Sequence, residues 1–279
     1  MPDPISPAQR DLLLRAARDA ARERIMPRFR ALAPSDISTK SGPADLVTLA
    51  DTEAEAQIAA AVRAAWPEAT VLGEESVAAD PSLRTAMGTA DPCVVIDPVD
   101  GTWNFAKGLA VFGVLLAVLR RGVPVWGLLY DPVMDDWIEA VPGAPARFET
   151  ASGRVTDLRA SAESRIDRLT GYMPLGLFPH ADRERIAKEF PDFLRITGLR
   201  CALHEYRMVA QGHAEFCLSG PVPHPWDHAA GVLAVQQAGG VARFLDGEDY
   251  TAERPRGVLL SAGSEAAWDS LAQRFAFLA

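Results

Sequence analysis

The stretch from Cys93 to Phe105, Cys-Val-Val-Ile-Asp-Pro-Val-Asp-Gly-Thr-Trp-Asn-Phe, constrains this chain more than any other. Its apolar run has the length and β-branched content of a core strand. Asp97-Pro98 is expected to stop that strand, since proline has no N–H to continue a ladder. Asp97 and Asp100 then fall on one tight turn. Carboxylates placed so can share a hard cation, together with a backbone carbonyl such as that of Val99 between them. A helical turn starting near Gly101 would add free N–H groups able to hold a phosphate. The same residues also read as a plain Pro-Gly turn whose aspartates accept local hydrogen bonds, and the rest of the chain must decide.

The chain has 279 residues, 48% hydrophobic and 23% charged, which suits one large or two fused globular units. A net charge of −9 argues against a nucleic-acid-binding surface, although it leaves room for a small phosphorylated metabolite. Cys93, Cys201 and Cys217 are too few and too irregularly spaced for a disulfide framework or a zinc site, and read as core thiols. No basic stretch followed by an apolar one opens the chain, and no run approaches a membrane span. The expectation is a soluble, cytoplasmic protein.

Ser6-Pro7-Ala8-Gln9 marks a helix start, with Ser6 as N-cap and the helix running to about Arg30 on a stripe of Leu12, Leu13, Ala16, Ala20 and Ile25. A turn-rich segment, Lys40 to Thr48, delivers Lys40 and Asp45 just before a second helix, Asp51 to Ala65. The short strand Thr70-Val71-Leu72 opens onto Glu74-Glu75, which alone would be a polar loop. Val111–Leu119, Val123–Tyr130 and Trp137–Val141 read as antiparallel strands, and Pro142-Gly143-Ala144-Pro145 as a linker. That places an α+β unit at 1–150 and an α/β unit at 151–279. In the second unit, strands are expected near Arg168–Tyr172, Phe193–Thr197, Ala214–Leu218 and Val258–Ser261. Helices should lie near Arg183–Phe190, Ala202–Gln211, Asp227–Ala238 and Glu265–Phe277. Asp227 sits where an N-cap belongs, and a carboxylate fixed there is either that cap or a last metal ligand.

Taken in order, these segments resemble the inositol monophosphatase family of magnesium-dependent, lithium-sensitive phosphatases. The matching residues are Asp45-Leu46-Val47-Thr48, Gly73-Glu74-Glu75-Ser76, Asp97-Pro98-Val99-Asp100-Gly101-Thr102 with Asn104-Phe105, and Trp226-Asp227 through Ala230-Gly231 with Ala238-Gly239-Gly240. The resemblance implies a layered αβαβα sandwich, commonly a homodimer, with the active site between its halves. It implies that Glu74, Asp97 and the Val99 carbonyl bind one Mg2+ and that Asp97, Asp100 and Asp227 bind a second, with a looser third near Glu74. It also implies that Asp45 and Thr102 activate the attacking water, that the amides of Gly101 and Thr102 hold the phosphate, and that Lys40 lies near the rim. The partner is then a small phosphomonoester.

The substrate half departs from that pattern. Inositol-hydrolysing members carry a glutamate shortly before the Trp-Asp pair, whereas Leu218 to His224 holds no carboxylate. Arg200-Cys201-Ala202-Leu203-His204-Glu205-Tyr206 replaces a stretch of small residues, and Trp103 either walls the pocket or packs under it. Glu205 is expected to bind the ammonium or hydroxyls of the alcohol. Histidinol phosphatase, nucleoside bisphosphate phosphatase and fructose bisphosphatase relatives all stay open. So does a regulatory RNA- or protein-binding member of the fold.

Overall fold

A computed structural model describes residues 5–42 and 45–279. The first residues, and Pro43-Ala44 in the turn expected after Lys40, lie outside the described residues. Helix α1 (Pro7–Ala20) starts at the expected capping box, where the Gln9 N–H donates to Ser6 Oγ at 3.3 Å and the Ser6 N–H to Gln9 Oε1 at 2.8 Å. Its helical path continues through a π-turn (Ala21–Ile25) and a 3-10 turn (Met26–Arg28), so the winding changes at Ala21. Strands β1 (Ile37–Gly42) and β2 (Asp45–Thr48) pair antiparallel and hand the chain to α2 (Leu49–Ala65). Thr48 caps that helix, its N–H and hydroxyl donating to Asp51 Oδ2 at 2.9 and 2.5 Å.

The larger sheet follows. It takes in β3 (Thr70–Gly73) and, after the short helices α3 (Glu74–Ala79) and α4 (Arg84–Thr89), β4 (Cys93–Asp100). The short helix α5 (Thr102–Ala106) leads to β5 (Gly113–Arg120), β6 (Val123–Asp131), β7 (Asp136–Ala140), β8 (Arg147–Thr150) and β9 (Val155–Asp157). These strands lie in chain order, β3 parallel to β4 and each later pair antiparallel. Every residue of β4 is buried. The strand runs past Pro98 to Asp100, where the expectation stopped it at Asp97; a register break between Asp97 and Asp100 absorbs the missing N–H. The turn read as a linker joins β7 to β8 within this sheet, so the change of sheet comes after Asp157 rather than near residue 150.

The second sheet is smaller and mixed. Strand β10 (Thr170–Tyr172), helix α6 (His180–Glu189), β11 (Arg195–Thr197), α7 (Ala202–Ala210) and β12 (Phe216–Leu218) come first. Then follow α8 (Pro225–Gln237), β13 (Val241–Phe244), β14 (Leu259–Ala262) and α9 (Glu265–Arg274). The strand order is β11-β10-β12-β14-β13.

Alternation along the strands stacks these elements in layers. Val94, Ile96, Val114, Leu116 and Val118 face α1 and α2, while Cys93, Val95, Leu115, Ala117 and Leu119 face α7 and α8. On the far side of that helix pair lie Cys217, Ala242 and Leu259 of the small sheet, whose other face, with Phe216, Leu218 and Leu260, packs on Ile186, Trp268 and Leu271 of α6 and α9. The result is an αβαβα sandwich. Gly127 lets α8 come close, since a Cβ there would stand 2.8 Å from Ala230 Cα. All three cysteines are buried, as expected of core thiols.

Candidate active site

Four junctions converge on one cluster of carboxyls. Parallel pairing sets Gly73 opposite Ile96, so Glu74, the next residue, emerges beside Asp97. Asp97 Oδ1 accepts the Val99 N–H at 3.1 Å, and the Asp97 and Asp227 carboxyls lie close enough to influence one another's protonation. Asp100 Oδ2 accepts from the Leu203 N–H and lies 3.3 Å from the Cys201 thiol, which ties it to the start of α7. Asp227 is not an N-cap: α8 begins at Pro225 after His224, and Asp227 faces the cluster from within the first turn. Pro225 explains the difference, because a proline at the first helical position starts the helix ahead of it.

Thr102 makes the second correction. Its Oγ1 lies 3.0 Å from Asp51 Oδ1 and 3.0 Å from the Val99 carbonyl oxygen, so its carboxylate partner is Asp51, not Asp45. Asp51 is buried and held from its other oxygen by Thr48, whereas Asp45 opens β2 opposite Gly42 and is half-buried. The Thr48 and Asp51 spacing, an N-cap with an acid three residues on, marks Asp51 in the sequence as a capping acid but not as the partner of Thr102.

The electrostatics of the cluster follow from crowding. Burial, then the charges of Glu74 and Asp100, push Asp97 and Asp227 well above the ordinary carboxylate range. Burial pushes Asp100 and Asp51 up to about 6 and Glu75 up to about 7. Lys40 is the nearby cation, its Nζ at 2.6 Å from both Glu74 Oε1 and Glu75 Oε1. Burial alone would lower its ammonium, but the two glutamates outweigh that and hold it raised.

Among the described residues no three His, Cys, Asp or Glu side chains close into a metal cage as they stand. The donor chemistry nevertheless fits hard cations. Carboxyls crowded so that each raises the proton affinity of the others are favoured by a shared proton or cation, and oxygen donors suit magnesium.

The expected substrate contacts fall differently. The Glu205 carboxyl is buried and accepts the Leu199 N–H at 2.7 Å and a hydrogen bond from the Arg200 backbone, so it anchors a loop instead of facing an alcohol. Trp103 is half-buried and carries the Arg200 guanidinium over its ring at 4.2 Å, so it does not pack beneath the turn. His224 stacks on Trp226 with centroids 4.6 Å apart, and burial pushes its imidazole down to about 4. Two surface grooves of about 350 and 380 Å³ lie elsewhere, one at Arg15, Arg18 and Tyr130, the other at Phe148, Arg159 and His213.

Comparison with known proteins points one way. The family model described as the inositol monophosphatase family matches residues 9–276. The chain is 30% identical to the Nus factor SuhB of Vibrio cholerae, over 79% of this chain and 82% of that one. It is 28% identical to the fructose-1,6-bisphosphatase/inositol-1-monophosphatase of Thermotoga maritima, over 78% of each. Among solved structures, an IMPase of Thermotoga maritima superposes with a TM-score of 0.80 at 23% identity, covering 97% of this chain and 98% of that one. The extragenic suppressor protein SuhB of Bartonella henselae does so with a TM-score of 0.78 at 26% identity, covering 96% and 98%.

Proposed function

The chain belongs to the inositol monophosphatase family, and from that premise we propose that it hydrolyses a small phosphomonoester, converting ROPO3(2−) and water to ROH and HPO4(2−). The observation that carries this reading is the Asp51–Thr102 pair set against the cluster of buried Asp97 and Asp100 with half-buried Asp227.

Glu74, Asp97 and the Val99 carbonyl would hold one Mg2+, and Asp97, Asp100 and Asp227 a second, with a looser third near Glu74. Bound there, the ions supply Lewis-acid activation of water and neutralise charge on phosphate and departing alcohol. Thr102 gives its own proton to Asp51 Oδ1, so its oxygen is left to accept a hydrogen bond from the attacking water. Asp51, pushed up to about 6 by burial, is poised to take that water's proton through the hydroxyl near neutral pH. The amides of Gly101 and Thr102 would hold the phosphate oxygens. Gly101 supports this with a left-handed φ of +88°, which turns the chain from strand into helical turn. Lithium sensitivity, a homodimeric assembly and a cytoplasmic place follow from the same kinship.

A second reading, a regulatory protein- or RNA-binding role, is favoured by the relatives named Nus factor. One experiment separates them. Magnesium-dependent phosphate release is measured on myo-inositol phosphate, histidinol phosphate, fructose bisphosphate and adenosine bisphosphate. Asp51→Asn and Thr102→Ala should lower kcat at least about 100-fold, as loss of a general base does, and Asp45→Asn less than about 5-fold. A larger loss in Asp45→Asn than in Asp51→Asn would return the base to Asp45. Phosphate release from none of the compounds, with magnesium bound, would promote the regulatory reading.

A further inference from the structure

The small sheet brings three loops to the carboxyl cluster. Strands β10, β11 and β12 run parallel, with Tyr172 beside Thr197 on one side and Cys217 on the other, so their C-terminal ends share one edge. Loop 198–201 leads from β11 into α7, where Cys201 and the Leu203 amide reach Asp100. Loop 219–224 leads from β12 into α8 and so to Asp227 in its first turn. Because β10 sits between β11 and β12, its own loop, 173–179, is flanked by the two that reach the cluster. Parallel strands of layered sheets bind ligands at this edge.

Loop 173–179, Met-Pro-Leu-Gly-Leu-Phe-Pro, contains no hydrogen-bonding side chain. Its carbonyls are occupied as well: those of Met173, Pro174 and Leu175 accept N–H groups within the loop, and those of Gly176 and Phe178 accept from the Arg183 guanidinium, both at 2.8 Å. In loop 219–224 the Ser219 hydroxyl donates to the Gly220 carbonyl at 2.7 Å and accepts the Leu259 N–H at 2.8 Å, while the Pro221 carbonyl accepts the Gly257 N–H at 3.0 Å. Glu205 is spent on the Leu199 amide, and Arg200 is stacked on Trp103. His224 keeps one nitrogen, Nδ1, without a hydrogen-bond partner among the described residues, a single contact where a polyol needs several. A hydroxyl brought here from water loses hydrogen bonds and finds few in return. Apolar surface is on offer instead. Leu177 is 67% exposed and lies against the Gly220 backbone, where a Cβ would stand 2.9 Å from its own Cβ; Val222, beyond Gly220 in the same loop, is 39% exposed. Covering such side chains with an apolar ligand is favourable in proportion to the area removed from water.

We propose that loops 173–179 and 219–224 form an apolar seat for the alcohol, with Leu177 and Val222 against it. The favoured substrate is then the phosphate ester of an apolar alcohol, not of a polyol or an amino alcohol. The proposal rests on the phosphatase reading above.

Two matched pairs test it. Cyclohexyl phosphate differs from myo-inositol 1-phosphate only in lacking the ring hydroxyls, and propyl phosphate differs from glycerol 3-phosphate in the same way. Wild-type kcat/KM should favour the apolar member of at least one pair by about tenfold or more, and the pair that responds tells ring from chain. Leu177→Asn and Val222→Asn should each cut that ratio by about threefold or more, through the KM of the apolar ester. Comparing variant with wild type cancels the different leaving-group reactivity of the alcohols. Leu194→Asn is the control: this leucine is also 67% exposed but precedes β11, at the opposite end of the strand from loop 198–201, and its loss should leave the ratio unchanged. Calorimetric binding of the four compounds to the Asp51→Asn chain in magnesium gives a readout that needs no turnover. A binding preference that Leu177→Asn removes, without hydrolysis of any of the four by wild type, would sink the phosphatase reading and uphold the apolar seat. Equal or better use of the polyol ester in both pairs, or a ratio that Leu194→Asn alters as much as Leu177→Asn and Val222→Asn do, would overturn the proposal.

Discussion

Glu205 shows how one buried carboxyl makes stability depend on pH. Burial pushes it from the ordinary 4.5 up to about 8. Between those values the folded chain keeps a proton that the unfolded chain has released, so this contribution is complete below about pH 4.5 and is lost as pH rises towards 8. Gln keeps the acceptor for the Leu199 N–H but carries no charge. Glu205→Gln should therefore flatten the decline, gaining on the order of 2–4 kcal/mol relative to wild type between pH 5 and pH 8.5. Urea unfolding in chelator measures it, and parallel pH profiles for the two chains would refute it. Side chains of this kind were only partly legible beforehand. Asp97, Asp100, Glu74 and Asp227 could be nominated because each follows a strand or opens a helix, a place that the hydrophobic pattern marks. Asp51 was read only as a helix start and Asp45 was named in its place, because both flank the same β2–α2 junction and only the fold shows which one meets Thr102. Glu205 was misjudged for a related reason, since a helix residue's polarity does not say whether its partner is a ligand or a neighbouring amide.

At the level of elements, long strands and the helices with strong caps were readable because period and punctuation agree. The β1–β2 hairpin and the strands β8, β9 and β13 were not, being short and partly exposed, with too few residues each for a strand period to stand out. The strand β4 outran its proline because a register break took up the missing donor. Close approach of α8 to β6 is equally invisible in sequence, yet it positions Asp227. A Cβ at Gly127 would stand 2.8 Å from Ala230 Cα and 3.0 Å from its carbonyl oxygen, both backbone atoms with little freedom to give. Gly127→Val should thus destabilise by about 1–3 kcal/mol, lowering the urea midpoint at constant slope. An unchanged midpoint would mean that α8 can slide without cost.

The whole molecule couples the cluster to global stability. Buried carboxyls that raise one another's proton affinity oppose the fold unless protonated or neutralised by cations. Magnesium that binds only the folded chain stabilises it by mass action, so melting temperature should rise with magnesium and fall in EDTA. In EDTA at neutral pH, Asp97→Asn should melt above wild type by a few degrees, about 2–4 °C per kcal/mol for a chain near this size, and should respond little to magnesium. A wild-type melting temperature indifferent to magnesium would contradict this. The helices α7 and α8 are covered on one face by the large sheet and on the other by the small one. Their inner amides can therefore meet solvent only when the two sheets part, which ties their hydrogen exchange to the rarest opening of the molecule. Asp227 and the Leu203 amide that grips Asp100 ride on these two helices, so the proposed site is mounted on the segment with the longest memory of the folded state.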